Sequence, residues 1–289
     1  MKQLTILSGK GGTGKTTISA SFAALARNVV LADCDVDAPD LHILLHPKIL
    51  ETQEFRGSKL AVIDEAKCVK CGLCREKCKF DAVTEDLQID PIACEGCGVC
   101  TLVCPAYAIA LRDRVSGHAY ISETKYGFMA HALLNPAESN SGKLVTLVRQ
   151  NAKVLADKNG VDLVVIDGAP GIGCPVIASV TGADAGLVVT EPTVSGIHDL
   201  ERVLQLMRHF KVHPFVCINM HDINSGTTQK IASFCRDNEV ELVGKIPYDK
   251  IVTEAMVNEK PVVEYSPTND VSIEIIRMWR RISGALERG

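Results

Sequence analysis

Short apolar runs alternate with segments of helical period along most of the 289 residues. Gln3–Leu7, Val29–Ala32, Val161–Asp167, Ala185–Glu191, Pro214–Asn219 and Val243–Ile246 read as buried strands. Thr16–Arg27 instead spaces Ile18, Phe22, Leu25 and Ala26 along one helix face, and Asn28 ends it. Leu144–Lys158 does the same with Leu144, Leu147, Val148 and Leu155; Ser141 is placed to cap it and Gly160 to stop it. Ile197–Phe210 carries Leu200, Val203, Leu204 and Met207 on its inner face, with Asp199 and Arg202 spaced to pair on another. Ile251–Asn258 and Ser272–Glu287 are the last helices. Such alternation predicts an α/β fold with a doubly wound, mainly parallel sheet.

The alternation breaks off in one place. From His46 to Gly57 the apolar pattern weakens, and Ser58–Asp64 recovers as a short strand. Cys68-x2-Cys71-x2-Cys74-x3-Cys78 follows, and its spacing returns 26 residues later as Cys94-x2-Cys97-x2-Cys100-x3-Cys104-Pro105. This is an internal duplication, continued by Lys79–Val83 in one half and Pro105–Ile109 in the other. Thiolates at these spacings fold over an iron–sulfur cubane, the fourth cysteine of each run reaching the other cluster. Cys68, Cys71, Cys74 and Cys104 are therefore assigned to one [4Fe–4S] cluster, and Cys94, Cys97, Cys100 and Cys78 to the second. A pair of zinc sites is the alternative. The runs resemble those of bacterial two-cluster ferredoxins, with Lys79 where the second run has Pro105; a cation there would raise the potential of a nearby cluster. Beyond the insert, His118–Thr124 reads as a strand and Tyr126–Leu134 as a linking segment folded on the insert.

The first strand leads into Gly9-Lys-Gly-Gly-Thr-Gly14-Lys15-Thr16, which fits the phosphate-binding pattern G-x-x-x-x-G-K-[ST]. Backbone amides of Gly11, Gly12, Thr13, Gly14, Lys15, Thr16 and Thr17 would surround a phosphate, aided by the positive end of the helix that follows. Lys15 meets the β- and γ-phosphates in this pattern and the Thr16 hydroxyl meets Mg²⁺. Asp33, Asp35 and Asp37 follow the second strand, at the edge where such sheets bind ligands. Three acids so close call for a cation or donors; an acidic turn is the plainer reading. Asp167, at the end of the Val161–Asp167 run, fits a Walker B carboxylate for Mg²⁺.

Composition narrows the partners. The net charge of −4 gives no electrostatic ground for nucleic acid, and 4% aromatics argues against base-stacking platforms. The Met1 end leads at once into a strand rather than a signal sequence, and no apolar run is long enough to span a bilayer, so a cytoplasmic protein is expected. The C-terminal helix lines Ile275, Ile276, Trp279, Ile282 and Leu286 along one side; packing on the sheet accounts for this better than membrane binding. Cys34, Cys174, Cys217 and Cys235 share no ligand spacing and read as buried thiols, although Cys34 and Cys174 lie near the phosphate-binding segments.

The extra Lys10 gives the phosphate loop, KGGTGKTT, the deviant Walker A of the MinD/ParA class of ATPases, which includes the nitrogenase iron protein. Asp33-Cys-Asp-Val-Asp-Ala-Pro39 resembles that class's switch I, and Asp167-Gly-Ala-Pro-Gly171 its switch II. The resemblance implies a dimer, of two copies or of this chain with a homologue, closing on two ATP molecules, with Lys10 crossing to the partner's phosphates. It implies Asp35 orienting the attacking water, Asp33 close to Mg²⁺, and a Gly171 amide near the γ-phosphate. It implies adenine contacts from Asn219 and Pro247; a strand-end Asn is otherwise a turn residue.

Residues 1–57 and 112–289 thus look like one P-loop ATPase domain interrupted at 58–111 by a small α+β ferredoxin-like domain. The expected function is a Mg²⁺-dependent ATP-hydrolysing switch, slow without a partner, that governs electron transfer through two [4Fe–4S] clusters to a redox or metallocofactor partner protein. A carrier for cluster assembly and a MinD-like spatial organiser are the alternatives.

Overall fold

The structure, a computed structural model, describes residues 1–26, 28–138 and 142–288, and its chain divides into two compact units. The first comprises 1–52, 119–133 and 140–289; the second comprises 53–118 and 134–139. The second unit extends beyond the 58–111 read from sequence on both sides.

One sheet of nine strands organises the first unit. The strands are β1 (Lys2–Ser8), β2 (Val29–Asp33), β3 (Lys48–Phe55), β6 (Gly117–Thr124), β7 (Gly127–Leu134), β8 (Leu163–Pro170), β9 (Ala185–Thr190), β10 (His213–Asn219) and β11 (Glu241–Ile246). Their order across the sheet is β11-β10-β9-β1-β8-β2-β7-β6-β3. From β11 to β7 every neighbouring pair is parallel. β1 lies between β8 and β9. Because the chain winds away from it in both directions, the crevice at its carboxyl end is where ligands settle in such sheets.

Helices cover both faces. Leu4, Ile6, Leu31, Val165 and Leu187 pack beneath α1 (Lys15–Ala26), α2 (Leu41–Leu45), α9 (Ile251–Val257), α10 (Val262–Tyr265) and α11 (Asp270–Arg288). Leu7, Ala169, Val188 and Val216 pack beneath α6 (Cys174–Val180), α7 (Val194–His209) and α8 (Ser225–Asp237). α5 (Lys143–Asn159) packs on β2, β8 and α6. Gly160, left-handed at φ 62°, ends α5 as expected; the cap expected of Ser141 and the helix end at Arg27 lie outside the described residues. The apolar stripe of α11 is spent on packing, with Val271, Ile275, Met278 and Ile282 buried and Trp279 set 5.0 Å from the Phe22 ring. No helix among the described residues is long and apolar enough to cross a membrane.

Two readings are corrected. Tyr126–Leu134 is no linker folded on the insert: it supplies β7, paired in parallel with β2 from Val29↔Gly127 to Ala32↔Ala130. Met129–Ala132 are buried, including His131, whose ring bonds Ser122 Oγ at 2.8 Å and whose pKa burial lowers to about 4. A polar residue inside a short apolar run hides a strand from pattern reading, yet a paired neutral imidazole is tolerated there. His46–Gly57 holds β3, an outer strand exposed along nearly its whole length and so without alternation.

The second unit is built on an antiparallel pair, β4 (Ser58–Ile63) and β5 (Ile109–Arg114), with helices α3 (Leu73–Lys77) and α4 (Val99–Val103). Ala61, Ala82, Val83 and Ile109 form its small core together with Cys74 and Cys94. Arg114 and the buried Glu138 pair at 2.6 Å, and Ser58 Oγ donates to the same carboxylate at 2.9 Å. This ties the returning chain to the β4–β5 pair.

Candidate functional site

The phosphate loop leaves the carboxyl end of β1 and turns into α1. Gly14 adopts φ +95°, and a side chain there would meet Asn219 Nδ2 at 2.5 Å. Asn219, at the end of β10, donates Nδ2 to the Thr13 carbonyl at 2.8 Å and accepts from the Met220 amide at 3.0 Å. One amide hydrogen and one carbonyl lone pair remain for a base. Pro247 follows the end of β11, the strand beside β10.

Lys15 is buried, with Nζ 3.8 Å from an Asp35 oxygen. Asp33 and Asp167 are register partners on β2 and β8. The Asp167 carboxylate accepts from Ser19 Oγ at 3.0 Å and from the Thr16 hydroxyl. Burial raises its pKa to about 6, against the pull of Lys15 and the two hydroxyls. Burial pushes Asp33 well above the carboxylate range, with Asp167 adding to the effect. Asp35 is raised by burial and lowered in part by Lys15. One oxygen each of Asp33 and Asp167, and the Thr13 hydroxyl, are buried without a partner. Two buried carboxylates with orphaned oxygens, one of them bonded by the Thr16 hydroxyl, suit a hard divalent cation such as Mg²⁺.

Switch II departs from expectation in detail. β8 does not stop at Asp167; it continues to Pro170. The register with β1 shifts between Ile6 and Ser8, and the Gly171 amide donates to the Ser8 carbonyl at 2.9 Å. Gly168 has no room for a side chain, since a Cβ would lie 2.8 Å from the Ile6 carbonyl oxygen. A γ-phosphate contact by the Gly171 amide therefore means giving up the bond to Ser8.

Three contacts near the loop carry no motif. Lys10 pairs with Glu191 at the end of β9. Asp199 packs its Cβ on Gly9 from α7 and, among the described residues, makes no ion pair with Arg202. Ser19, one turn into α1, holds Asp167. Sequence reading missed Ser19, whose signal was its place four residues beyond Lys15 on the helix that follows the loop.

A family model described as the CobQ/CobB/MinD/ParA nucleotide binding domain matches residues 4–262. The chain belongs to this family. An uncharacterized protein of Methanocaldococcus jannaschii is 38% identical over 227 residues, 77% of this chain and 79% of that one. The MinD/ParA-like chain also resembles the solved structure of the septum site-determining protein MinD from Pyrococcus horikoshii, complexed with Mg-ADP, with TM-score 0.60 and 16% identity over 97% of this chain and 95% of that one. A shorter stretch of 79 residues, 26% of this chain and 28% of the relative, is 38% identical to a component of the ion-translocating oxidoreductase complex of Methanosarcina acetivorans.

In the second unit of this MinD/ParA-type chain the cysteines sort into two sets. Cys68, Cys71, Cys74 and Cys104 line one small cavity together with Ile63, Leu87 and Ile109. Cys78, Cys94, Cys97 and Cys100 line another, together with Ala61, Val83 and Ile89. Each cavity thus takes three thiols from one run and the fourth from the other. Among the described residues, no three His, Cys, Asp or Glu side chains are placed to hold a single metal ion. Four thiols around an apolar void fit a group of several atoms such as a cubane cluster. Cys34, Cys217 and Cys235 are buried with thiols pushed up by burial, and Cys174 is exposed.

Proposed function

We propose that the chain is an ATP-hydrolysing, dimer-forming switch that governs electron transfer through two [4Fe–4S] clusters. The observation that carries the redox half is the crossed pattern of thiols around two cavities. The local likeness to a component of an oxidoreductase complex supports it. When bound, such clusters take up and release single electrons. Cys68, Cys71, Cys74 and Cys104 would hold one, and Cys78, Cys94, Cys97 and Cys100 the other.

In the nucleotide half, Lys15 and the loop amides would take the β- and γ-phosphates, and Thr16, Asp33 and Asp167 would hold Mg²⁺. Lys15 then exchanges the Asp35 carboxylate for phosphate oxygens, which frees Asp35 to orient water. Lys10 leaves Glu191 for the phosphates held by a second copy or a homologue. Asn219 and Pro247 would border the adenine.

The deciding experiment is anaerobic purification with iron and sulfide counts, then a spectroscopic redox titration with and without a non-hydrolysable ATP analogue. About eight irons per chain and a nucleotide-dependent potential or transfer rate are expected. Four irons or fewer, or indifference to adenine nucleotides, would overturn the proposal. The likeness to MinD favours one second reading, a spatial organiser, which instead requires ATP-dependent binding to lipid vesicles or DNA.

A further inference from the structure

The duplication lets one half of the second unit serve as a control for the other. Positions 26 apart are equivalent in backbone as well as in sequence. Gly72 and Gly98 precede the five-residue helices α3 and α4 with φ of 74° and 80°. Asp81 and Tyr107 are both left-handed, at φ 50° and 48°. On this common frame the outer surfaces differ in composition, although the first repeat also exposes Val69 and Phe80, at 65% and 46%. Where the first repeat has Ala66, Glu76 and Asp81, the second has Ile92, Leu102 and Tyr107, which are 74%, 87% and 86% exposed. From Pro91 to Leu111 the only charged residue is Glu95, whereas residues 64–90 are dense in charges of both signs.

The apolar surface reaches the cysteine cavity. Val99 and Leu102 stand three apart, on one face of α4. Val99 is 41% exposed and also lines the cavity of Cys78, Cys94, Cys97 and Cys100. Tyr107 follows in the turn closed by its amide on the Cys104 carbonyl at 3.2 Å. The first repeat interrupts the equivalent surface with Glu76, which pairs with Lys77 at 2.7 Å.

Size and charge select the occupant. Val99, Leu102 and Tyr107 together offer on the order of 400 Å² of apolar surface. A stable interface needs about 800 Å² from each partner, and transient redox encounters fall below that. A lasting contact with a second copy is therefore underpowered here. Without charges to steer it, association on this face is insensitive to salt.

We propose that Val99, Leu102 and Tyr107 form the docking surface for a soluble one-electron carrier of ferredoxin type that presents an uncharged apolar face. Exchange then occurs at the site of Cys78, Cys94, Cys97 and Cys100. Each encounter moves one electron: the donor is oxidised by one, the acceptor reduced by one, and no bond or proton is transferred. This rests on the cluster reading above, and an iron count on every sample separates the two failures.

The test uses the full chain, purified anaerobically and loaded with clusters, and a photoreduced two-cluster bacterial ferredoxin as the probe. Leu102→Glu and Tyr107→Asp give the second repeat the first repeat's residues; Glu76→Ala and Asp81→Ala are the mirrored controls. Expected is a fall of about tenfold or more in the second-order transfer rate for the first pair, with iron content and nucleotide binding unchanged. The controls should stay within about twofold, as should wild type between low and high salt. Hydrogen exchange of residues 99–107 should slow when ferredoxin is added, and not in Leu102→Glu. Docking is overturned, with the cluster reading intact, if iron-replete wild type does not exchange electrons with ferredoxin or if Leu102→Glu is as fast. A wild-type dimer in gel filtration that Leu102→Glu dissolves would assign the face to a second copy instead. Samples lacking iron overturn both.

Discussion

Asp33 and Asp167 face each other as register partners across the β2–β8 ladder, both buried, each with one oxygen that no donor reaches. Burial pushes both carboxyls upward, and the Asp167 charge adds to the rise of Asp33. The pair is costly to the empty fold and suited to a cation.

The sign of the pH effect follows. The folded Asp167 pKa of about 6 lies above its ordinary 3.8, so between these values the folded chain binds more protons than the unfolded one. In nucleotide-free protein its contribution makes stability fall as pH rises from about 4 to about 6. Asp167→Asn should flatten that fall in thermal melts and raise stability at pH 7 by on the order of 1–3 kcal/mol. The same variant should lose the stabilisation that Mg-ATP gives wild type. Wild-type affinity for Mg-ATP should strengthen as pH rises through about 6.

Gly14→Ala tests the loop against its neighbour. The backbone at φ +95° costs an L-residue about 1–2 kcal/mol, and the methyl displaces Asn219 from Thr13. ATP binding measured by calorimetry should weaken at least about tenfold, with the melting of nucleotide-free protein shifted only a few degrees.

Glu191→Gln releases Lys10 from its ion pair. In analytical ultracentrifugation with a non-hydrolysable ATP analogue, the dimer should form at lower protein concentration than in wild type. Lys10→Ala should bind ATP as well as wild type and fail to dimerise. A dimer in Lys10→Ala as strong as in wild type would remove the crossing role from Lys10.

Cys104→Ser separates the crossed arrangement from a simple one. Cys104 belongs to the second run by sequence but lines the cavity of Cys68, Cys71 and Cys74. Iron should drop from about eight to about four per chain, and the cluster lost should be the one also lost in Cys71→Ser. If Cys104→Ser instead matches Cys97→Ser in its residual spectrum, each run holds its own cluster.

Much of the fold was legible because parallel strands buried on both faces are continuous apolar runs, and the phosphate loop is a local motif. β7 was not legible, because His131 breaks its run and is accommodated there by the Ser122 hydroxyl and the stacked Tyr120 ring. β3 was not, because an exposed outer strand carries no alternation.

By itself, then, the sequence determined what is local: the loop from Gly9 to Thr16, the two cysteine runs and the strand–helix period, each set by residues a few positions apart. Tertiary structure decided the rest. It brought Asp33 beside Asp167 across 134 positions of chain, set Lys10 on Glu191 and pressed Asn219 on Gly14, whereas the crossing of the fourth thiols was already expected from the spacing of the two runs. The reason is physical: burial, register and close approach depend on which elements meet, and nothing in the spacing of a single segment encodes its neighbour.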